Sequence, residues 1–428
     1  MRYSNIPSIF FINNREKLIK KLKENSVAVV TSNDQMPRSG DQHFPFRQNA
    51  DLFYLTGLEQ EKCILCMYPE HPVEANREIV FTIRPDVNME IWEGHKLTKD
   101  EVTSVSGVRT VKYLDEFDSI FHDLALRAGN IYVSLNENLR FLTEVPYRSL
   151  RFAHQLLQKY PLHRFERLAP HITGMRLIKE PEEMAMIKKA CDITGLAFNR
   201  ILNFTRPGLK EFEIEAEITH EYIRNAAGGH SFLPIVASGI NACTLHYESN
   251  DKIMNDGDLV LIDFGAEYGN YAADCSRTIP VNGEFTPRQR QCYEAVLRVF
   301  QQAVQLMIPG TTIDELHKKV CKLMETEMTG LGLFTTEDID KQDKDSPLFF
   351  KYFMHGTSHF MGLDVHDVGH RQIVIEKGMV LTCEPGLYIK NEGIGIRIEN
   401  DILVDNQPVD LMSHIPVNPD DIEKLMKG

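Results

Sequence analysis

Four carboxylates, Asp263, Asp274, Glu384 and Glu399, stand in two pairs that flank turn-like segments. If LVLIDF and YAADCSRT pair as a hairpin about AEYGN, the midpoint of the first two falls between Tyr268 and Gly269, which sets them directly opposite each other. Opposed residues have Cβ atoms ~4.5–5.5 Å apart, so both carboxylates project onto nearly one point. The midpoint of Glu384 and Glu399 falls between Asn391 and Glu392, inside KNEG, and opposes them likewise provided Pro385-Gly386 inserts no bulge. Like charges this close repel, so either a cation neutralises them or one binds a proton. A single pair would read as surface acids near a turn; two pairs among apolar strand runs point to cation binding. Four carboxylates match two divalent ions with at most one hydroxide. An oxygen-rich set with few imidazoles favours hard or borderline ions such as Mn²⁺, and paired ions ~3.5–4 Å apart clamp a nucleophilic water.

The stretch HGTSHFMGLDVHD, His355 to Asp367, adds three histidines and two aspartates. His355 and His359 share the i, i+4 spacing of the zinc-protease helix, but that motif needs a Glu after its first His, where Gly356 stands. Gly356 and Gly362 also weaken any helix here. A lone histidine is as often a core or surface residue as a ligand, so spacing leaves the choice among His355, His359 and His366 open. Strand alternation puts Arg397 on the face of Glu399 and sends Ile396 and Ile398 into the core. By the same rule Cys275 and Cys383, next to Asp274 and Glu384, point away from the acids and read as core residues.

Elements of two kinds must position these groups. The first ~170 residues carry short β-like runs (VAVV, DLFYLTG, CILCMY, EIVFTIR, IYVSLN) between helical pieces, which reads as an α/β domain. A helix opens at Pro181, with Glu182 and Glu183 in its first turn and Ile187, Ala190, Thr194, Phe198 and Ile201 at helical spacing. The domain boundary is placed just before it, giving domains 1–174 and 175–428. Beyond it, helices at 182–203 and about 210–226 lead to the first acid pair. A helix capped by Thr286 and Gln289, with Tyr293, Val296, Leu297, Phe300, Ala303, Val304 and Met307 on one face, and another from Ile313 through Leu323 lead to the second. The charged segment TTEDIDKQDKDS between them reads as a loop. Two halves, each of helices and a strand pair, suggest a duplicated α/β unit with its site at the seam.

Composition narrows the function classes. The 428 residues carry a net charge of −14 and no basic run, which argues against nucleic-acid or anionic-membrane partners. The N-terminal MRYSNIPSIFFINNREKL has too short an apolar patch for a signal sequence, and no window approaches a membrane span. Eight scattered cysteines fit reduced thiols, and the expected location is cytoplasmic. Cys63 and Cys66 form a lone C-x-x-C around an apolar run and read as strand core.

The motifs IDFGAEYGNYAADCSRT, HGTSHFMGLDVHD, CEPGLY and RIEND together resemble the pita-bread metallopeptidases, in the proline-specific branch that includes aminopeptidase P and prolidase. FPFRQNADLFYLTGL (44–58) and EIWEG (90–94) look like the N-terminal domain of aminopeptidase P, so the resemblance spans the chain. It implies an N-terminal creatinase-like α/β domain and a C-terminal pita-bread domain with pseudo-two-fold halves around an antiparallel sheet. It implies metal ligands at Asp263, Asp274, His359, Glu384 and Glu399 for two divalent ions, with Glu384 taking the proton of the bridging water. His355 and His366 resemble histidines lining the substrate site, and His246 in SGINACTLHY resembles one that holds the substrate or the tetrahedral intermediate. Arg397 matches an active-site arginine that packs on the ligand carboxylates. His366 is the candidate donor to the leaving proline nitrogen, and Trp92 and Tyr388 are candidate substrate contacts, Trp92 near the proline pocket. The implied activity is removal of the N-terminal residue from peptides with proline second, by a homodimer or homotetramer.

Alternatives differ in substrate or class. Prolidase action on Xaa-Pro dipeptides uses the same metals and water, and the N-terminal motifs favour aminopeptidase P over it. Methionine aminopeptidase does not need a 175-residue N-terminal domain. Metal-free binding scaffolds and enzymes acting on small guanidino compounds have lost ligands that are all present here.

Overall fold

The computed structural model describes residue 3 and residues 5–343 and 345–428. Met1, Arg2 and Ser4 of the N-terminal stretch and Lys344 of the charged segment lie outside the described residues. The chain divides into two compact units, one of Asn5–Arg176 and one containing Leu177–Gly428.

The first unit is built on a mixed six-stranded sheet in the order Thr110–Tyr113, Glu78–Thr82, Ile64–Met67, Ser26–Thr31, Asn130–Val133, Arg164–Arg167. Ser26–Thr31 runs antiparallel to Ile64–Met67 and parallel to Asn130–Val133. Its residues are buried throughout, as expected of a central strand written as one apolar run. Val27, Val29, Cys66, Ile79, Phe81 and Ile131 pack with Phe117, Phe121 and Leu124 of the helix Phe117–Arg127.

One of the expected strands is a helix. DLFYLTG lies in Ala50–Thr56, where the Asn49 side chain caps the Leu52 N–H and Gly57 ends the turn at φ 68°. A short apolar run buried on all sides does not reveal its period, and the capping residues decide it.

In the second unit the order helix, helix, hairpin occurs twice. Pro181–Phe204 and Glu211–Arg224 precede the strands Leu259–Phe264 and Cys275–Pro280; Pro287–Gln305 and Ile313–Gly330 precede the strands between Val380 and Leu403. Ile187, Ala190, Thr194, Phe198 and Ile201 are all buried. Thr286 and Gln289 form the expected capping box. Ile313–Gly330 runs on past Leu323. Within the charged segment, Thr335 and Asp338 cap a short helix, Thr336–Lys341, so that stretch is not loop throughout.

The two hairpins meet edge to edge. The Glu399 N–H donates to Ser276 O (3.1 Å) and the Arg397 N–H to Thr278 Oγ1 (3.2 Å). In the second hairpin Cys383 opposes Asn400 and Gly386 opposes Arg397. The same register runs through Pro385, and Glu384 faces Glu399. In the first hairpin Phe264 opposes Cys275 and Tyr268 opposes Tyr271, so the turn centres on Gly269 and Asn270, not between Tyr268 and Gly269. Both turn residues have positive φ, 60° and 66°, the backbone of a type I′ turn that matches strand twist. Asp263 therefore opposes Ser276, and Asp274 lies diagonal to it on the same face.

Candidate metal centre and active site

The strands bring the acids onto one buried patch. Asp274 is 5% exposed and Glu399 2%, and these two together with His359 offer ligand atoms that all lie within 4.8 Å of one another. His359 Nε2 is 3.3 Å from Asp274 Oδ2 and 3.9 Å from Glu384 Oε1. His359 Nδ1 is 3.1 Å from the Phe360 carbonyl, which only accepts, so Nδ1 carries the proton and Nε2 is the nitrogen that could ligate a metal. An imidazole N–H directed at a backbone carbonyl is how metal-ligating histidines are oriented. Asp263 Oδ2 accepts from Arg397 Nη2 at 2.6 Å, while its buried Oδ1 has no hydrogen-bond partner among the described residues.

Burial, together with the neighbouring acids, pushes Asp274 and Glu399 well above the usual carboxylate range. Arg397 contacts Asp263 at 2.6 Å and stands 3.9 Å from Glu399. One guanidinium against four carboxylates leaves a net negative cluster, and an oxygen-rich cluster with one imidazole is a donor set suited to divalent cations.

Arg397, Tyr388 and His355 form a chain beside the acids. Arg397 Nη1 donates to Tyr388 Oη (2.9 Å), and Tyr388 Oη lies 2.8 Å from His355 Nε2. His355 Nδ1 is 2.7 Å from the Gly356 carbonyl, so it is the donor there and Nε2 accepts the Tyr388 O–H. Burial, helped by Arg397, pushes the His355 imidazole down to about 3, and burial pushes the Tyr388 phenol up to about 12. Both are neutral near pH 7, and His355 Nδ1 stands 3.6 Å from Glu384 Oε2.

His366 is half-buried, with its ring centroid 4.4 Å from that of His359 at 88°. The two histidines bound a loop stapled by a buried ion pair, Lys179 Nζ to Asp367 Oδ2 at 2.9 Å. Gly362 is where this pair closes: a Cβ there would lie 2.2 Å from Asp367 Oδ2 and 2.6 Å from Lys179 Nζ. His246 lies exposed on the turn after Gly239–Cys243. It is close enough to His355 for its charge to oppose protonation there. Trp92 belongs to the other unit, on the helix Val87–Glu93, and at 84% exposure it packs in no core of that unit.

Sequence reasoning missed several supporting residues. Ser276 Oγ donates to Glu399 Oε2 (2.6 Å) and accepts from Arg397 Nε (2.8 Å), joining the two hairpins. Its signal was available, since alternation puts it on the face of Asp274. Asp401 Oδ2 accepts from the Asp274 N–H (3.1 Å) and from Cys191 Sγ (3.4 Å), and burial pushes this carboxyl up to about 8. Cys275 and Cys383 are buried, as expected of their alternate positions.

Residues 185–406 match metallopeptidase family M24, and residues 11–132 match the aminopeptidase P N-terminal domain. The chain belongs to metallopeptidase family M24. This M24 protein is 35% identical over 441 residues to the Xaa-Pro aminopeptidase of Escherichia coli K12, covering 97% of each chain. It superposes on E. coli aminopeptidase P with the inhibitor Pro-Leu with a TM-score of 0.89, at 34% identity over 99% of both chains. It superposes on the zinc-substituted E. coli enzyme in complex with product with a TM-score of 0.88, at 35% identity over 99% of both. The M24 protein is thus an enzyme, a metallo-aminopeptidase, with an aminopeptidase P N-terminal domain followed by a pita-bread domain. No helix among its described residues is long and apolar enough to cross a membrane.

Proposed function

We propose that this enzyme removes the N-terminal residue from peptides whose second residue is proline. The proposal is carried by the near-full-length match to enzymes named Xaa-Pro aminopeptidase, in a chain that keeps the buried carboxylate and histidine cluster. Asp263, Asp274, His359, Glu384 and Glu399 would hold two divalent cations, Mn²⁺ being suited to so oxygen-rich a set. When bound, such ions supply Lewis-acid activation of water and polarise the scissile carbonyl.

The chain's own residues do the rest. Glu384 accepts the proton of the attacking water. Arg397 holds Asp263 through its Nη2 and fixes Tyr388 through its Nη1. His355, with both ring nitrogens committed to Gly356 and Tyr388, contributes a fixed neutral wall of the substrate site and moves no proton. His246 steadies the carbonyl oxygen as negative charge develops on it. His366 delivers the proton to the departing proline nitrogen, which has no N–H of its own in the peptide. Trp92 and Tyr388 are proposed substrate contacts. The reading includes catalytic domain boundaries of 175–428, a homodimer or homotetramer and a cytoplasmic location, the last supported by eight unpaired cysteines.

The test compares an Xaa-Pro-Yaa tripeptide with the matching Xaa-Pro dipeptide, using EDTA-stripped enzyme before and after Mn²⁺ addition. Metal-restored cleavage of the tripeptide alone is expected. Cleavage confined to the dipeptide would replace this reading with prolidase, and metal binding without cleavage of either would remove it.

A further inference from the structure

Glu211 is the first residue of the helix Glu211–Arg224 and is fully buried, remote in sequence from every acid of the metal centre. Its carboxylate collects five donors, all from residues 238–252. Oε1 accepts from the Ser238 N–H (2.7 Å), Ser238 Oγ (2.7 Å) and Asn241 Nδ2 (3.4 Å). Oε2 accepts from Tyr247 Oη (2.8 Å) and the Lys252 N–H (3.0 Å). That segment carries His246. One turn along the same helix, Glu215 accepts from Asn250 Nδ2 (2.9 Å), and Asn250 Oδ1 accepts from the Val236 N–H (2.9 Å). The exit of the loop is tied to the same helix start, where the Glu211 N–H donates to Lys252 O (3.0 Å).

The loop is also pressed onto the active-site floor. Ala242 lies against Gly395, where a Cβ would come within 2.3 Å of the Ala242 carbonyl oxygen. Leu245 and Tyr247, on either side of His246, pack against the apolar cluster that contains Tyr388. His246 itself is exposed and makes none of these contacts, so its placement is set by its neighbours. A buried ionised carboxylate is retained at low cost only when its lone pairs are satisfied, and charge-assisted bonds of this kind are stronger than neutral ones. Five donors on one carboxylate exceed what capping a helix requires, since a single cap satisfies one or two N–H groups.

We infer that Glu211 is a positioning residue: it holds the 238–252 loop so that His246 is presented to the scissile carbonyl. This rests on the proposed role of His246. A side chain misplaced by ~1 Å costs up to ~100-fold in rate, which is the scale on which such an anchor acts.

The experiment uses the full chain loaded with Mn²⁺ and an Xaa-Pro-Yaa tripeptide. Glu211→Gln, which keeps the shape but removes the charge, is compared with His246→Ala and with the double variant, by kcat, KM, metal content and unfolding midpoint. The expected result is a loss of about 10- to 100-fold in kcat/KM for Glu211→Gln, with full metal content. In the His246→Ala background the same change is expected to have little further effect, because both substitutions remove one function. Tyr247→Phe, which deletes a single donor, is expected to show a smaller loss of the same kind and serves if Glu211→Gln does not fold. Equal losses in both backgrounds, or loss of metal in step with activity, would make Glu211 merely structural. Wild-type kinetics in Glu211→Gln or Tyr247→Phe beside an impaired His246→Ala would overturn the role of Glu211 alone. Wild-type kinetics in His246→Ala would overturn the reading of His246 and this inference with it.

Discussion

The two acid-bearing hairpins solve one problem with different turns. Lys390–Glu392 with Gly393 at φ 64° closes the second hairpin so that Glu384 and Glu399 oppose each other. The first closes on Gly269 and Asn270, a tighter two-residue turn, and this moves Asp274 from opposite Asp263 to a diagonal position. Both arrangements leave their acids on one face, because a shift of two residues preserves the alternation that a shift of one would reverse. What must be kept is therefore the face, while the pairing itself is free. The place vacated opposite Asp263 is taken by Ser276, which reaches across to Glu399 and Arg397.

The comparison can be broken at its centre. Asp263→Asn in the first hairpin and Glu399→Gln in the second are each expected to abolish activity and metal loading together, read by metal analysis of the purified chain. A variant that loses activity with its metal intact would show that the two hairpins contribute unequally.

A pH-dependent contribution to stability is expected from a carboxyl beside the first hairpin. Tyr271, just after its turn, donates to Glu183 Oε1 at 3.1 Å, and burial pushes the Glu183 carboxyl up to about 7 from the ordinary 4.5. As pH rises, the unfolded chain releases this proton first, so the Glu183 contribution to stability falls between about 4.5 and 7 and is level on either side. The span is up to ~3 kcal/mol. Glu183→Gln is expected to flatten this slope in chemical-denaturation curves across that range; an unchanged slope would assign it to another group.

Ser276→Ala tests the link between the hairpins. Losing an orienting partner of Glu399, a proposed metal ligand, is expected to weaken metal binding by ~10- to 100-fold, measured by metal titration, with the fold retained. The smallest effect is expected at the turn. Asn270→Val puts a β-branched residue at positive φ and is expected to cost ~1–2 kcal/mol in urea denaturation.

Much of this was legible in the residues. Pro181 with its following glutamates, and Thr286 with Gln289, mark helix starts by local chemistry that needs no tertiary context. The placement of Arg397 on the face of Glu399 follows from strand alternation. The register of the first hairpin differs from one centred between its acids because Gly-Asn between apolar runs is itself a two-residue turn signal, and the turn, not the acids, sets the pairing. DLFYLTG is ambiguous for another reason: its burial on every side erases the periodicity that separates strand from helix. Glu211 had no sequence signal at all, since a first-turn glutamate reads as a dipole partner until its five donors, up to 41 residues away, are seen.

Gly362 has a consequence for engineering. Between His359 and His366 it admits only a hydrogen atom beside the Lys179–Asp367 pair. A combinatorial library across 359–366, screened for activity on new N-terminal residues, is expected to recover glycine at 362 in every functional clone. Diversity would collect at Val365, which is half-buried.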